Sequence, residues 1–281
     1  MSASEPNTIF LKLGGSLITD KTHPHTPRLE VLRRLAREIA AARATVESSA
    51  ASPQSSYRLL LGHGSGSFGH TAARQYGTRQ GVKTQREWRG FTEVWKQAAA
   101  LNHLVLDALQ TAGLPAIAFP PSASVLTENG QILSWDIRPL RAALQANLLP
   151  VIYGDVVFDT VRGGTILSTE DLFAHLAPLL HPRRLLLAGL EPGVWQDFPR
   201  RSRLFSEITL ANYDQALPSL GSAETTDVTG GMASKVKGAL DLAAEIPGLE
   251  VLIFSAEEPG ILEKVLQGGQ TGTLLHAGNL I

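Results

Sequence analysis

Three segments of this chain combine small residues with basic ones in patterns that suit phosphate chemistry. Lys12-Leu13-Gly14-Gly15-Ser16 follows a short apolar run. Two glycines let backbone N–H groups turn toward one anion with no Cβ in the way. Lys12, closing the apolar run, is either a snorkelling side chain or a ligand for that anion. Gly62-His63-Gly64-Ser65-Gly66-Ser67-Phe68-Gly69-His70 holds four glycines and two serines in nine residues. Such a loop has little side-chain bulk and many N–H donors, and a helix beginning after it makes a phosphate cradle. It is not a P-loop, because no Gly-Lys-Ser/Thr closes it, and no acidic residue follows at the spacing of a dinucleotide fingerprint. Taken alone, a glycine-rich loop is a weak signal, and a merely structural role is its alternative. In Asp227-Val228-Thr229-Gly230-Gly231-Met232-Ala233-Ser234-Lys235, Gly-Gly opens a helix and Lys235 lies one turn inside it. Cation and helix dipole then converge on one point, as terminal phosphates of a nucleotide require.

These segments need a frame that brings them together. Thr8–Leu13 and Arg58–Gly62 read as buried strands, with a helix between them from Leu29 to Ala42 whose Leu32, Leu35, Ile39 and Ala42 face inward. Ala41 to Ser56, rich in Ala and Ser, reads as the end of that helix running into an exposed loop. A long helix follows over Lys83–Ala112, a strand at Pro115–Phe119, a helix at Ile137–Ala146 and a strand at Pro150–Tyr153. Val156–Asp159 and Thr165–Leu167 form a hairpin around Arg162-Gly163-Gly164. A helix starts near Thr169 and Asp171 and ends between Pro178 and Pro182. Arg184–Ala188 and Glu250–Ser255 are strands separated by a helix over Gly231–Glu245, and a helix over Pro259–Leu266 precedes a last strand at Thr273–Leu275. Alternating strands and helices predict an α/β fold with a mainly parallel sheet covered on both faces. Ligands then belong at the C-terminal ends of the strands, where the glycine-rich segments fall.

Composition narrows the chemistry. The 281 residues are 43% hydrophobic and 18% charged, enough apolar content for a packed fold. A net charge of −1 gives no electrostatic footprint for nucleic acid or an anionic membrane. With no cysteine, disulfides, thiolate metal sites and cysteine nucleophiles are excluded. The N-terminus lacks a basic region followed by an apolar stretch, and no run approaches the length of about twenty apolar residues that spans a bilayer, so a cytoplasmic location is expected.

KLGGSLITD, GHGSGSFGH, YGDVV at 153–157 and DVTGGMASK occur in the order seen in the amino-acid-kinase superfamily, which this chain resembles from Thr8 to about Thr273. The resemblance implies an open αβα sandwich. It makes the whole of 1–281 one domain, with an acceptor-binding lobe over about 1–180 and a nucleotide-binding lobe over about 181–281. Within the superfamily, Gly69-His70 in GxGSFGH is similar to the isopentenyl phosphate kinases and the related fosfomycin kinases. That similarity implies that Lys12, Gly14, Gly15 and Ser16 contact the ATP phosphates and that Gly66 faces the nucleotide. Lys21 bridges donor and acceptor phosphates, while Gly231 and Lys235 close over the nucleotide. On the acceptor side it gives Ser65 a backbone N–H to the substrate phosphate and His70 a hydrogen bond to it. Gly154 borders the substrate, and Asp155 orients the basic groups. One stretch departs from the pattern: Gly189-Leu190-Glu191-Pro192-Gly193-Val194 stands where many relatives carry Thr-Asp-x-Asp-Gly-Val near the nucleoside.

The implied reaction transfers the ATP γ-phosphate to a phosphate monoester, with Mg²⁺ and no metal ligand assigned among the residues. The acceptor oxygen is already largely ionised near neutral pH, so no strong base is needed. Positive charge must instead offset the repulsion between two phosphates. Phe91, Val94, Trp95 and Ala98 lie on one face of the long helix, and packing against the sheet accounts for most of them. The resemblance implies that this helix also borders the pocket for the five-carbon tail, with Phe91 and Val94 as its lining. His63 sits inside the glycine-rich loop, behind the phosphate contacts. His23 and His25 read as loop residues rather than a metal pair, and Asp136, Asp159, Glu170 and Asp171 as turn or helix-start acids. The leading expectation is phosphorylation of isopentenyl phosphate by a homodimer. A phosphonate kinase and a non-catalytic nucleotide sensor are the alternatives.

Overall fold

The computed structural model describes residues 7–48, 57–220 and 231–278. In chain order the elements are β1 (Asn7–Leu13), α1 (Gly15–Ile18), α2 (Leu29–Ser48), β2 (Tyr57–His63), α3 (Gly66–Tyr76), α4 (Gln85–Thr111), β3 (Ala116–Ala118), β4 (Val125–Glu128), β5 (Gln131–Trp135) and α5 (Arg138–Gln145). There follow β6 (Leu149–Tyr153), β7 (Asp155–Asp159), β8 (Gly163–Leu167), α6 (Thr169–Leu180), β9 (Arg184–Gly189), β10 (Glu207–Thr209), α7 (Tyr213–Ala216), α8 (Gly231–Glu245), β11 (Glu250–Ser255), α9 (Ile261–Leu266) and β12 (Thr273–His276). The predicted loop beyond Ser48 lies outside the described residues, as does Asp227–Gly230.

The main sheet has eight strands in the order β10-β12-β11-β9-β1-β2-β6-β3. The run from β11 to β3 is parallel throughout. β12 lies antiparallel to β11, and β10 parallel to β12. Parallel neighbours need helical crossovers, and those helices bury both faces. Ile9, Leu11 and Leu13 of β1 enter a core with α2, α4 and α9, while Phe10 enters a second core with α5, α6 and α8. Since side chains alternate along a strand, Lys12 shares the face of Phe10, beneath α6 and α8. From β1 the chain moves to β2 on one side and later returns to place β9 on the other. That reversal opens a crevice at the carboxyl ends of these strands.

A second sheet, β5-β4-β7-β8, contains a hairpin that the periodicity did not predict. Between β4 and β5 the chain turns through Asn129 (φ 49°) and Gly130 (φ 83°), an Asn-Gly pair suited to the left-handed region that such turns require. Asp159 binds this turn to that of the neighbouring hairpin, accepting from the N–H groups of Asn129, Gly130, Val161 and Arg162. Helix α4 is fixed at its start by a capping box: the Thr84 hydroxyl accepts from Glu87 N, and the Glu87 carboxylate accepts from Thr84 N. The second glycine-rich segment is less of a loop than expected. Gly62 and His63 complete β2, α3 begins at Gly66, and only Gly64-Ser65 connects them.

Candidate active site

The turns after β1 and β2 pack backbone against backbone. Gly14 N donates to the Ala188 carbonyl at 2.8 Å, holding the first turn against the end of β9. A Cβ on Gly15 would lie 2.4 Å from Gly66 N, and one on Gly64 would lie 2.9 Å from Gly15 N. Thr19 completes the joint, its hydroxyl donating to Gly15 O (2.7 Å) and accepting from Ser67 N (2.9 Å). Gly66 takes φ +51° here, a conformation that suits glycine.

Above this joint is a cavity of about 570 Å³. Lys12, Gly14, Gly15, Ser16 and Lys21 line it from the first turn, and Ser65, Gly66 and Gly69 from the second. Lys235 and Met232 reach it from α8, and Gly154 from the end of β6. Three lysines distant in sequence therefore face one volume, as does most of the glycine framework. Gly231 stands one residue behind this lining, at the start of α8 with φ +66°. His70 lies within the first turns of α3, one residue after Gly69; its side chain lies outside what is described.

Lys12 forms an ion pair with Glu170. Burial opposes the charged form of Glu170, but the charge and hydrogen bond of Lys12 outweigh it, and Lys235 adds to them, so the carboxyl is held below its ordinary range. The charges of Lys12 and Lys235 thus act on one carboxylate. The sequence reading gave this ordering role to Asp155 and took Glu170 for a helix-start acid. Asp155 instead accepts from Ser122 N (3.2 Å) and Val156 N (2.8 Å), and burial pushes its carboxyl up to about 6. Glu170 does stand in the first turn of α6, beside Asp171, which forms a capping box with Ser168. Nothing local in the sequence marked Glu170, because its partner comes from β1.

The apolar end of the cavity is lined by Ala73, Val94, Ala98 and Ile166. Val94 reaches this lining from α4. Phe91 sits behind that wall, its ring packed on Trp88 and Phe158 in a cluster with Val94, Val82 and Val156. Trp95, assigned to the same face, is 46% exposed. The other end is lined by Gly189, Leu190 and Glu191 after β9, with Ile253 and Phe254 of β11. Glu191 accepts from Trp195 Nε1 at 2.8 Å, so the sequence that departs from the family pattern still places a fixed carboxylate there. In the exposed loop after Asp20, His23 Nδ1 lies 2.9 Å from the Asp20 carboxylate, a partner the sequence reading did not give it. His25 meets the edge of Phe68.

The family model for the amino acid kinase family matches residues 7–255. The chain is 35% identical over 268 residues to isopentenyl phosphate kinase of Methanothermobacter thermautotrophicus, an alignment covering 92% of this chain and 95% of that protein. It is 32% identical over 232 residues to isopentenyl phosphate kinase of Methanocaldococcus jannaschii, covering 81% and 84% respectively. Among solved structures, one of isopentenyl phosphate kinase superposes with a TM-score of 0.75 at 32% identity, covering 95% of this chain and 99% of that one.

Proposed function

This chain belongs to the amino acid kinase family and is a phosphotransferase; from that premise we propose that it transfers the γ-phosphate of ATP to isopentenyl phosphate, yielding isopentenyl diphosphate and ADP. The observation that carries the reading is the meeting of Lys12, Lys21 and Lys235 with two glycine-rich turns around one cavity that has an apolar end.

The chemistry asks little covalent work of the protein. An acceptor phosphate oxygen attacks the γ-phosphorus as the bond to the β-bridging oxygen breaks, and ADP leaves. Two anions must approach in a site shielded from water, so catalysis consists of alignment and positive charge on the equatorial oxygens. Lys12 and Lys235, ordered by Glu170, supply charge from the nucleotide side, with Gly14, Gly15, Ser16, Gly66 and Gly231 supplying close backbone approach. Lys21 bridges the donor and acceptor phosphates. Ser65 N–H and the His70 imidazole bind the acceptor phosphate beside Gly154, and Val94 with Ala98 and Ile166 takes the five-carbon tail. Residues 1–180 then hold the acceptor and 181–281 the nucleotide.

Mg²⁺ is part of the proposal. No group of three or more His, Asp or Glu among the described residues could cage a metal. That donor set fits an ion carried mainly by phosphate oxygens, with Glu170 as the nearby carboxylate, and the ion would neutralise charge on the transferring group. The family resemblance extends the proposal to a homodimer in the cytoplasm, which sedimentation and cell fractionation test.

The deciding experiment offers isopentenyl phosphate and fosfomycin separately with ATP and follows ADP release and ³¹P resonances. A diphosphate product and a clear preference in kcat/KM for isopentenyl phosphate are expected. Preference for the phosphonate, or no turnover of any prenyl monophosphate, overturns the reading. His70→Asn should lower kcat/KM by about 2–4 kcal/mol in transition-state stabilisation; unchanged kinetics would remove His70 from the site.

A further inference from the structure

The buried imidazole of His63 plays no part in the reaction as described above. It ends β2 in register with Tyr153 of β6, and the two rings stack 5.4 Å apart. Its Nδ1 lies 3.2 Å from the Gly64 carbonyl oxygen, and its Nε2 lies 3.1 Å from Oδ1 of the Asn102 side-chain amide. Asn102 is itself buried on α4, one turn beyond Ala98, which lines the apolar end of the cavity. The main-chain carbonyl of His63 accepts from Thr169 Oγ1 at 2.6 Å and from Gly154 N at 3.3 Å. Four segments that border the acceptor side therefore meet at one residue. Filling the core alone would be served by an apolar side chain, with no ring nitrogens to satisfy.

The bond to Gly64 has a direct geometric consequence. The Gly64 carbonyl and the Ser65 N–H belong to one planar trans peptide group, so a donor on the oxygen fixes the direction of the N–H opposite it. Hydrogen bonding to the oxygen also polarises the N–H toward a stronger donor. A carbonyl only accepts, so in the neutral ring the nitrogen facing Gly64 O carries the proton. A bare Nε2 then requires the Asn102 amide turned by half a rotation, exchanging the Oδ1 that faces Nε2 for the NH₂ with the heavy atoms unmoved. Burial disfavours the charged ring and pushes its pKa down.

We propose that His63 is a positioning residue: a neutral, Nδ1-protonated imidazole that holds the Gly64–Ser65 peptide and aims its N–H at the acceptor phosphate. The role rests on the kinase reading above, in which Ser65 N–H binds that phosphate.

Three variants separate this role from packing. The amide of Asn occupies the place of Nδ1 and that of Gln the place of Nε2, so His63→Asn keeps the donor to Gly64, His63→Gln keeps only the reach to Asn102, and His63→Leu keeps neither. His63→Leu and His63→Gln are expected to raise the KM for isopentenyl phosphate by about tenfold, the value of one hydrogen bond to a charged partner. The KM for ATP should stay within about twofold, and His63→Asn should recover most of the acceptor KM. Equal defects in all three, or ATP and acceptor KM rising together, overturn the proposal. If the leucine variant does not fold, the comparison of Asn with Gln decides. Wild-type protein inactive on every prenyl monophosphate would instead sink the substrate assignment. The positioning claim is then read from ¹⁵N-histidine spectra, the His63 signal being identified by its loss in His63→Asn. A neutral Nδ1–H form at about pH 7 is expected; an Nε2–H tautomer or an imidazolium overturns it.

Discussion

Glu170 is the residue on which the cationic site depends most visibly. Lys12 comes from the middle of the sheet and its side chain is only 12% exposed, so losing a carboxylate beside its charge would carry a cost. Glu170→Ala takes the carboxylate away from Lys12 in the free protein. The expected result is a loss of about 1–3 kcal/mol in stability by urea unfolding, partly restored by saturating ATP, whose phosphates replace the carboxylate. Turnover should fall at least about tenfold, because Lys12 and Lys235 lose the group that orders them. A variant with wild-type kcat and ATP KM would reduce Glu170 to a surface acid. On the acceptor side, Val94 and Phe91 part company. Val94→Ala opens the apolar wall and should shift preference toward longer prenyl monophosphates, by about 1–3 kcal/mol per added methylene accommodated. Phe91→Ala lies behind the wall and should chiefly cost stability, about 3–5 kcal/mol. Thermal unfolding beside a chain-length series separates the two outcomes.

Among the elements, the joint between the β1–α1 and β2–α3 turns sets the spacing of the groups proposed to bind phosphate. A methyl on Gly66 would sit 2.1 Å from Thr19 Oγ1 and 2.6 Å from Gly15 O, at a φ that L-residues rarely adopt. Gly66→Ala is expected to destabilise the protein by about 2–4 kcal/mol and to abolish most turnover even at temperatures where the variant is folded. Retained activity would mean that the two turns can separate without consequence. The glycines were legible in the sequence because they follow apolar runs, and the core strands and helices were legible for the same reason: long runs with strong periodicity. Glu250–Ser255 and Gly231–Glu245 fall on the predicted bounds. Short elements were harder to read. The β4–β5 hairpin carries mixed side chains with no clean alternation, and its one local signal is Asn129-Gly130. β10 and α7 are only three and four residues long. The pairing of Lys12 with Glu170 spans 158 positions and has no local signature at all. The partners of Asp155 are equally without a local signature: the YGDVV segment carries the family resemblance, and its carboxylate turns to the backbone N–H groups of Ser122 and Val156.

For the molecule as a whole, the carboxyl groups of Glu170 and Asp155 pull stability in opposite directions with pH. Glu170 titrates below its ordinary 4.5 in the folded protein, so its stabilisation is present above that value and is lost as pH falls through the folded pKa. Asp155 behaves in reverse. Burial raises it from 3.8 to about 6, against the hydrogen bonds it accepts from Ser122 and Val156. Between those two values the folded protein holds a proton that the unfolded chain has released, so stability falls as pH rises through the window. Two units of displacement correspond to about 3 kcal/mol once both states are ionised. The fold carries that cost at the start of β7, where Asp155 fastens the turn at Pro121–Ala123 to the strand following Gly154. Asp155→Asn cannot ionise, and the expected signature is a change of slope rather than a uniform gain. Urea unfolding at steps from about pH 4 to pH 7 should show wild type losing stability relative to the variant by up to about 3 kcal/mol. The variant's own offset reflects the weaker acceptor that the amide presents to Ser122 N. Parallel curves for the two proteins would show that Asp155 ionises in the fold as readily as in water, and that the cost assigned to its burial is not there.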